Sequence, residues 1–326
     1  MKSVRDKIPQ PIRKFLKKAR NRISGNAHEI QKLHAEIDSL KFQVEYFKHH
    51  FDISQMTPAT GFLRNYQMEE LQFAKQILEM FGKYDIRMFL EGGALLGARR
   101  HRGFIPWDDD IDLGVTRSDF NRLMDIGKKD FIWIDSSQKQ GNYAKFYDDA
   151  IRSYPGKYVF IRTPYCLHIY HGNCLKDALN IEFFSNDFVR EGVTEEEFMV
   201  YREKIIRFVH GGHSWKEIFE FYDEELKNNP IYSLEETSRI TPGIGNWVLT
   251  EYPFHGFRNY EELYPLQEIP FENTSLPGPN NPDAMLNKQF GKNWRKFPKD
   301  VGIPHTLQHL NSYLKTIGTP IDYAEF

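Results

Sequence analysis

The chain has 326 residues, 40% of them hydrophobic and 15% aromatic, which is enough apolar surface to build a core and excludes a disordered polypeptide. Its 43 Lys and Arg against 45 Asp and Glu leave a formal charge of −2, so overall charge gives no footprint for nucleic acid. Two cysteines, Cys166 and Cys174, make no disulfide framework, and no apolar run approaches the ~20 residues of a membrane span, so a cytoplasmic location is expected.

The average charge hides an asymmetry at the start of the chain. Residues 2–22 carry nine basic side chains against one acid, Asp6, which leaves 34 basic and 44 acidic residues for the rest. Ile12, Phe15, Leu16, Ala19 and Ile23 fall at helical spacing among the Lys and Arg. That pattern suits an amphipathic helix lying on an anionic membrane surface, and it lacks the apolar core of a signal peptide. The expectation is a basic amphipathic head over residues 1–22, peripheral on the inner membrane face.

A strict seven-residue period follows. Ile23, Ile30, Ile37, Val44 and Phe51 repeat every seven residues, with Leu33, Leu40 and Phe47 at the alternate seam position and Asn26 on the seam as well. This is a coiled-coil repeat over residues 23–56. β-Branched residues at the first seam position with Leu at the second favour a parallel homodimer, in which Glu36 pairs with Lys41 of the partner. Thr57-Pro58-Ala59-Thr60-Gly61 breaks the helix and marks a boundary before a catalytic domain over residues 60–320. A packing helix is predicted from 64 to 81, with Leu71, Ala74, Leu78 and Phe81 on one face and Gly82 as its stop.

Residues 86–90 read as a short buried strand, Gly92-Gly93 as a turn and residues 94–100 as a helix. Strand, glycine turn, helix points backbone N–H groups and a helix N-terminus at an anion. Arg99, Arg100, His101 and Arg102 come next, then Asp108-Asp109-Asp110-Ile111-Asp112. With a strand from Asp110, period two puts Asp108, Asp110 and Asp112 on one side and Ile111 and Leu113 in the core. Like charges on one face need neutralising. Oxygen ligands select a hard divalent cation, Mg2+ or Mn2+, with nearby Arg side chains completing a phosphate cradle.

The run GGALLGARRHRGFIPWDDDIDLGV resembles the signature of the LicD family of phosphotransferases, kin to the fukutin and fukutin-related proteins. The resemblance implies a nucleotidyltransferase-like fold: an α+β domain with a mixed sheet flanked by helices, here preceded by the coiled-coil helix. Carried over by position, Gly92 and Gly93 form the turn, Arg100 and His101 take the family's Arg-His, and Asp110 and Asp112 are the metal pair with Asp108 in support. Ala94 stands where the family has Ser or Thr. The third catalytic and metal carboxylate is Glu182, in a segment Ile181-Glu182-Phe183-Phe184-Ser185-Asn186-Asp187 that resembles the family's I-D-I-F-P-L-D strand with Glu for the first Asp and Ser for Pro.

Between these blocks, Cys166, His168, His171 and Cys174 have a spacing that holds zinc in some proteins. A strand there would turn Cys166 and His168 away from His171, and a packed aromatic loop over residues 143–179 is expected instead. Thr194 with Glu197 and Ser214 with Glu217 predict capping boxes opening helices at 195–209 and 215–227. Residues 263–298 resemble the family's C-terminal segment, extending the resemblance to roughly residues 60–300. The activity it implies is transfer of phosphocholine or a polyol phosphate from a CDP-linked donor to a hydroxyl of a glycan or lipid-linked glycan, in capsule or lipopolysaccharide synthesis. The competing reading is a glycosyltransferase using Asp-x-Asp to bind the metal of a nucleotide sugar.

Overall fold

A computed structural model describes residues 10–139, 143–175 and 177–298. The chain divides into two units, residues 1–52 and 53–326. The first is dominated by one helix, α1 (Gln10–His50). It is unbroken at the expected junction between head and coiled coil, because nothing from Ile12 to His50 is a proline. The heptad side chains that the structure describes, among them Ile30, Leu33, Ile37, Leu40 and Val44, stand between 45 and 59% exposed along it. Residues 1–9 of the predicted basic head lie outside the described residues, as do the side chains of the rest of that head and of Asn26 and Phe47. Among the described residues no helix is long and apolar enough to cross a membrane.

The second unit is a mixed sheet flanked by helices. Its main path runs β1 (Phe89–Leu90), β2 (Ile111–Thr116), β6 (Leu179–Val189), β5 (Leu167–Gly172), β4 (Lys157–Arg162), β3 (Ile132–Ile134). β2 runs parallel to β6 and β3 to β4, while the other pairs on this path are antiparallel. Three short strands, β7 (Tyr232–Ser233), β8 (Arg239–Pro242) and β9 (Arg258–Asn259), extend the sheet beyond the C-terminal half of β6. A separate hairpin joins β10 (Gln267–Phe271) to β11 (Thr274–Gly278).

Alternation along these strands gives the sheet two chemically distinct faces. Ile111 and Leu113 align with Ile181 and Phe183, and all four are fully buried. The helix α2 (Gly61–Gly82) covers apolar rings from this region: Phe81 meets Phe160 and Phe183 edge-on at 6.1 and 6.3 Å. The helices α3 (Gly92–His101) and α4 (Arg117–Asp130) also pack on β2, and α5 (Tyr143–Ser153) on β5. A second apolar cluster forms around α6 (Glu195–Val209) and α7 (Trp215–Asn228), where both predicted capping boxes are present. Short helices α8 (Trp247–Glu251) and α9 (Tyr260–Leu263) and then α10 (Pro282–Phe290) complete the domain.

Residues 143–179 depart from the expected aromatic loop. They form α5, β4 and β5, because β-branched and aromatic residues in the runs Lys157–Arg162 and Leu167–Gly172 pair across an antiparallel ladder from Lys157↔Gly172 to Arg162↔Leu167.

Candidate active site

The position of β6 beside β2 is what assembles the site. In their parallel register Asp112 lies directly opposite Glu182, and in the antiparallel register of β5 with β6 the same Glu182 lies opposite His168. Aligned residues on adjacent strands share a face, so Asp112, Glu182 and His168 form a row across three strands. Two carboxylates some seventy residues apart in sequence become neighbours.

Asp110 stands just before β2, and oxygens of Asp108, Asp109 and Asp110 lie within 4.8 Å of one another. Period two therefore fails for this run: the strand begins at Ile111, and the preceding three aspartates curl into one group that includes the buried Asp109. The peptide of Asp108 is fixed by Gln67, whose Nε2 donates to the Asp108 carbonyl at 2.7 Å.

The glycine turn serves these carboxylates. A Cβ on Gly92, whose φ is +59°, would lie 2.5 Å from Asp112 Oδ2, and one on Gly93 would lie 2.8 Å from Asp108 Oδ2. The Gly93 N–H donates to the Asp112 carboxylate. The first amides of α3 thus meet the strand's own acid, and the turn is glycine because two carboxylates press against it. Arg100 and His101 are at the other end of α3. Arg100 Nη1 donates to the Trp294 carbonyl at 3.1 Å and its Nε to His101 Nε2 at 2.9 Å. Burial lowers Arg100 to about 10, against the pull of Asp108, and burial with the neighbouring guanidinium lowers His101 to about 4, so His101 is neutral. The structure brings Arg100 into the field of the acidic group and leaves His101 behind it as an acceptor.

Asp110 and Asp112 are both pushed well above the ordinary aspartate range, first by loss of water and then by other acids, Asp108 and Glu182 among them. Such a group is stable with its protons or with a cation. The donor set is carboxylate oxygen throughout, which fits Mg2+ or Mn2+ better than a softer ion. Asp108, Asp109 and Asp110 bring carboxylate oxygens within 4.8 Å of one another, and Asp112 and Glu182 face each other on the adjoining strands.

Glu182 has a second side. Its Oε1 accepts from Asn180 Nδ2 at 3.1 Å and lies 3.3 Å from His168 Nδ1, while Cys166 Sγ is 3.5 Å from Oε2 and 3.1 Å from His168 Nε2. His171 is on the opposite face, packed on Tyr158 and Phe73 at 4.9 and 6.0 Å, and Cys174 sits in the turn after β5 with its N–H on Asp177. The quartet Cys166, His168, His171 and Cys174 is thus not brought together. Its first two members join Glu182.

Behind the turn is a buried support. Glu91, the residue before Gly92, accepts from Arg258 Nη1 at 3.0 Å and from Asn186 Nδ2 at 2.7 Å, and Arg258 Nη1 also donates to Asn186 Oδ1 at 2.8 Å. Glu91 carries the backbone that overlies Asp112, since its N–H donates to the Asp112 carbonyl at 3.1 Å. Further along β6, Arg117 pairs with Asp187 at 2.7 Å and with Ser185 at 2.9 Å. Ser185 therefore has a defined role where the family pattern has proline.

Comparison with known proteins agrees with this geometry. The model of the LicD/FKTN/FKRP nucleotidyltransferase domain matches residues 85–158. Over 280 residues the chain is 30% identical to the lipopolysaccharide cholinephosphotransferase LicD of Haemophilus influenzae, covering 76% of this chain and 96% of that protein. It is 26% identical over 255 residues to an uncharacterized Rickettsia prowazekii protein, 76% of this chain and 65% of the other. A shorter match, 47% over 51 residues, joins 16% of this chain to 10% of the human ribitol 5-phosphate transferase FKRP. A match over nearly the whole of one member, with the glycine turn and the aspartates inside the matched domain, shows that the chain belongs to the LicD family of phosphotransferases.

Proposed function

We propose that this chain transfers a phosphorylated alcohol, phosphocholine or a polyol phosphate, from a CDP-linked donor to a hydroxyl of a surface glycan or its lipid-linked precursor, releasing CMP. The observation that carries this reading is the register that sets Glu182 beside Asp112, with Asp110 just before that strand. Asp110, Asp112 and Glu182 would hold a divalent ion, whose charge would offset the charge that develops on the leaving phosphate. The residues of the chain do the rest. The glycine turn holds Asp112 in place, Asn180 and His168 orient Glu182, and a carboxylate of the group takes the proton of the acceptor hydroxyl. The new bond runs from acceptor oxygen to the phosphorus of the transferred group, and the bond broken is the one from that phosphorus to CMP.

Measuring CMP release from CDP-choline, CDP-ribitol and CDP-glycerol with Mg2+ tests this directly. Turnover with one of them, abolished by Asp112→Asn, is the expected result. Activity with UDP-sugars alone would replace this reading by the glycosyltransferase one.

We further propose that α1 pairs with a second copy of itself as a parallel coiled coil. The exposure of the described heptad side chains supports this, as do the flanking charges: in parallel register Glu29 meets His34 of the partner subunit and Glu36 meets Lys41 of the partner subunit, with no like-charge pair. The basic residues before it suit an anionic membrane surface, which would hold the enzyme at the inner face near a lipid-linked acceptor.

A further inference from the structure

A cavity of about 180 Å3 opens on the β5 side of the carboxylates. That is below the ~300–1,000 Å3 of pockets that enclose a whole drug-sized ligand, so it takes one group of a donor and not the nucleotide. Asp109, Asp110 and Glu182 form its acidic wall, and Asn180, Leu175 and Ala178 lie around it. The remaining lining is aromatic: Tyr66 from α2, Tyr147 from α5, and His168 and Tyr170 from β5. Three of these rings pack as one wall, with centroids 5.4 Å apart for His168 and Tyr170, 5.6 Å for Tyr147 and Tyr170, and 5.7 Å for Tyr147 and His168.

The hydroxyls of Tyr66 and Tyr170 and the amide of Asn180 are already engaged. Tyr66 donates its hydroxyl to the Ala178 carbonyl at 3.0 Å, and Tyr170 OH lies 3.4 Å from His168 Nδ1. Asn180 spends Nδ2 on Glu182 and holds Oδ1 3.2 Å from His168 Nδ1. The cavity therefore offers a guest ring surfaces, two apolar side chains and carboxylates, with its amide and two of its phenols committed. A polyol needs donors as well as acceptors, and inserting it would leave hydroxyl acceptors unpaired in a buried space. A quaternary ammonium has no N–H to satisfy and is attracted by both aromatic rings and negative charge.

We propose that this cavity receives the head group of the transferred alcohol, and that its rings and acids select a quaternary ammonium group over a polyol. Tyr147 and Tyr170 are the specificity-determining residues. The inference rests on the CDP-alcohol reading above for its place in the reaction, and not for the binding chemistry itself. Burial, with the thiol and carboxylates nearby, keeps both phenols protonated, so the rings contribute as neutral surfaces.

The test compares phosphocholine with 3,3-dimethylbutyl phosphate, which keeps the shape and loses the positive charge. Calorimetric titration of the full chain with Mg2+ is expected to show at least about tenfold tighter binding of phosphocholine. Tyr147→Leu should bring the two affinities within about threefold, and Tyr147→Phe should retain the preference. In turnover, CDP-choline should exceed CDP-ribitol in kcat/KM by a similar margin, and Tyr147→Leu should narrow that ratio. Equal affinities for the two phosphates, or a Tyr147→Leu variant that keeps the preference, would overturn the inference. CMP release from CDP-ribitol with no cationic preference would overturn it while leaving the transferase reading intact. Charge-selective binding without CMP release from any donor would sustain the cavity and remove the transferase reading.

Discussion

The buried triad behind the glycine turn makes a quantitative prediction. Arg258 and Glu91 have side chains only 2 and 3% exposed, so neither charge is screened by water. Arg258→Met removes the cation and leaves the Glu91 carboxylate with the Asn186 amide alone, in the field of Asp112. Removing one partner of a buried pair costs about 3–5 kcal/mol. For a domain of this size, where ~1 kcal/mol corresponds to roughly 2–4 °C, the melting temperature should fall by roughly 6–20 °C. Glu91→Gln in the same chain removes the stranded charge, so the double variant should recover at least ~2 kcal/mol of the loss. Urea unfolding of the wild type, both single variants and the double variant closes the cycle. A loss below ~1 kcal/mol for Arg258→Met, or a double variant no more stable than that single one, would refute the reasoning. Because Glu91 carries the backbone over Asp112, kcat of the folded Arg258→Met protein should drop as well.

Asp112→Asn should abolish transfer and yet raise the melting temperature of the metal-free protein. A carboxylate held above its ordinary range binds its proton more tightly folded than unfolded. Its contribution is therefore fully present below the unfolded value near ~3.9 and is lost as pH rises through the folded value. The variant should lose that part of the pH dependence, and Mg2+ should stabilise the wild type more than the variant by thermal shift. Gly92→Ala combines a left-handed φ with a Cβ 2.5 Å from Asp112 Oδ2, so it should cost about 1–3 kcal/mol and more than tenfold in kcat/KM, checked by unfolding and steady-state kinetics. Ile37→Asn with Leu40→Asn on α1 should turn a dimer into a monomer by light scattering while leaving the melting of the catalytic domain unchanged; a monomeric wild type would contradict the coiled coil.

The sequence disclosed most where chemistry and periodicity coincide. Gly92-Gly93, the aspartate run and Glu182 were identifiable because a resemblance to known proteins marked them and a strand pattern surrounded them. Both capping boxes were equally plain, since Thr194 and Ser214 act on residues three positions away. What was hidden depends on strands meeting. Nothing local in Leu167–Gly172 says that His168 will face Glu182, and the aromatic density there reads as a loop until the pairing with Lys157–Arg162 is known. Arg258 looked like any surface arginine, because its partner Glu91 lies 167 residues away. Asp109 joins the acidic group because the chain curls before β2 begins at Ile111, which no strand pattern reveals.

Glu182 has the clustered aspartates on one side and the aromatic cavity on the other, and this division has a consequence for how such enzymes diversify. Tyr147 belongs to α5 and Tyr170 to β5, whereas Asp110 stands just before β2 and Asp112 within it. Substitutions can therefore accumulate in the cavity wall and change the cargo while the reaction centre stays the same. Asp110 and Glu182 are the exceptions, because both also line the cavity, so lineages that drift at either position would have to retune cargo choice and chemistry at once.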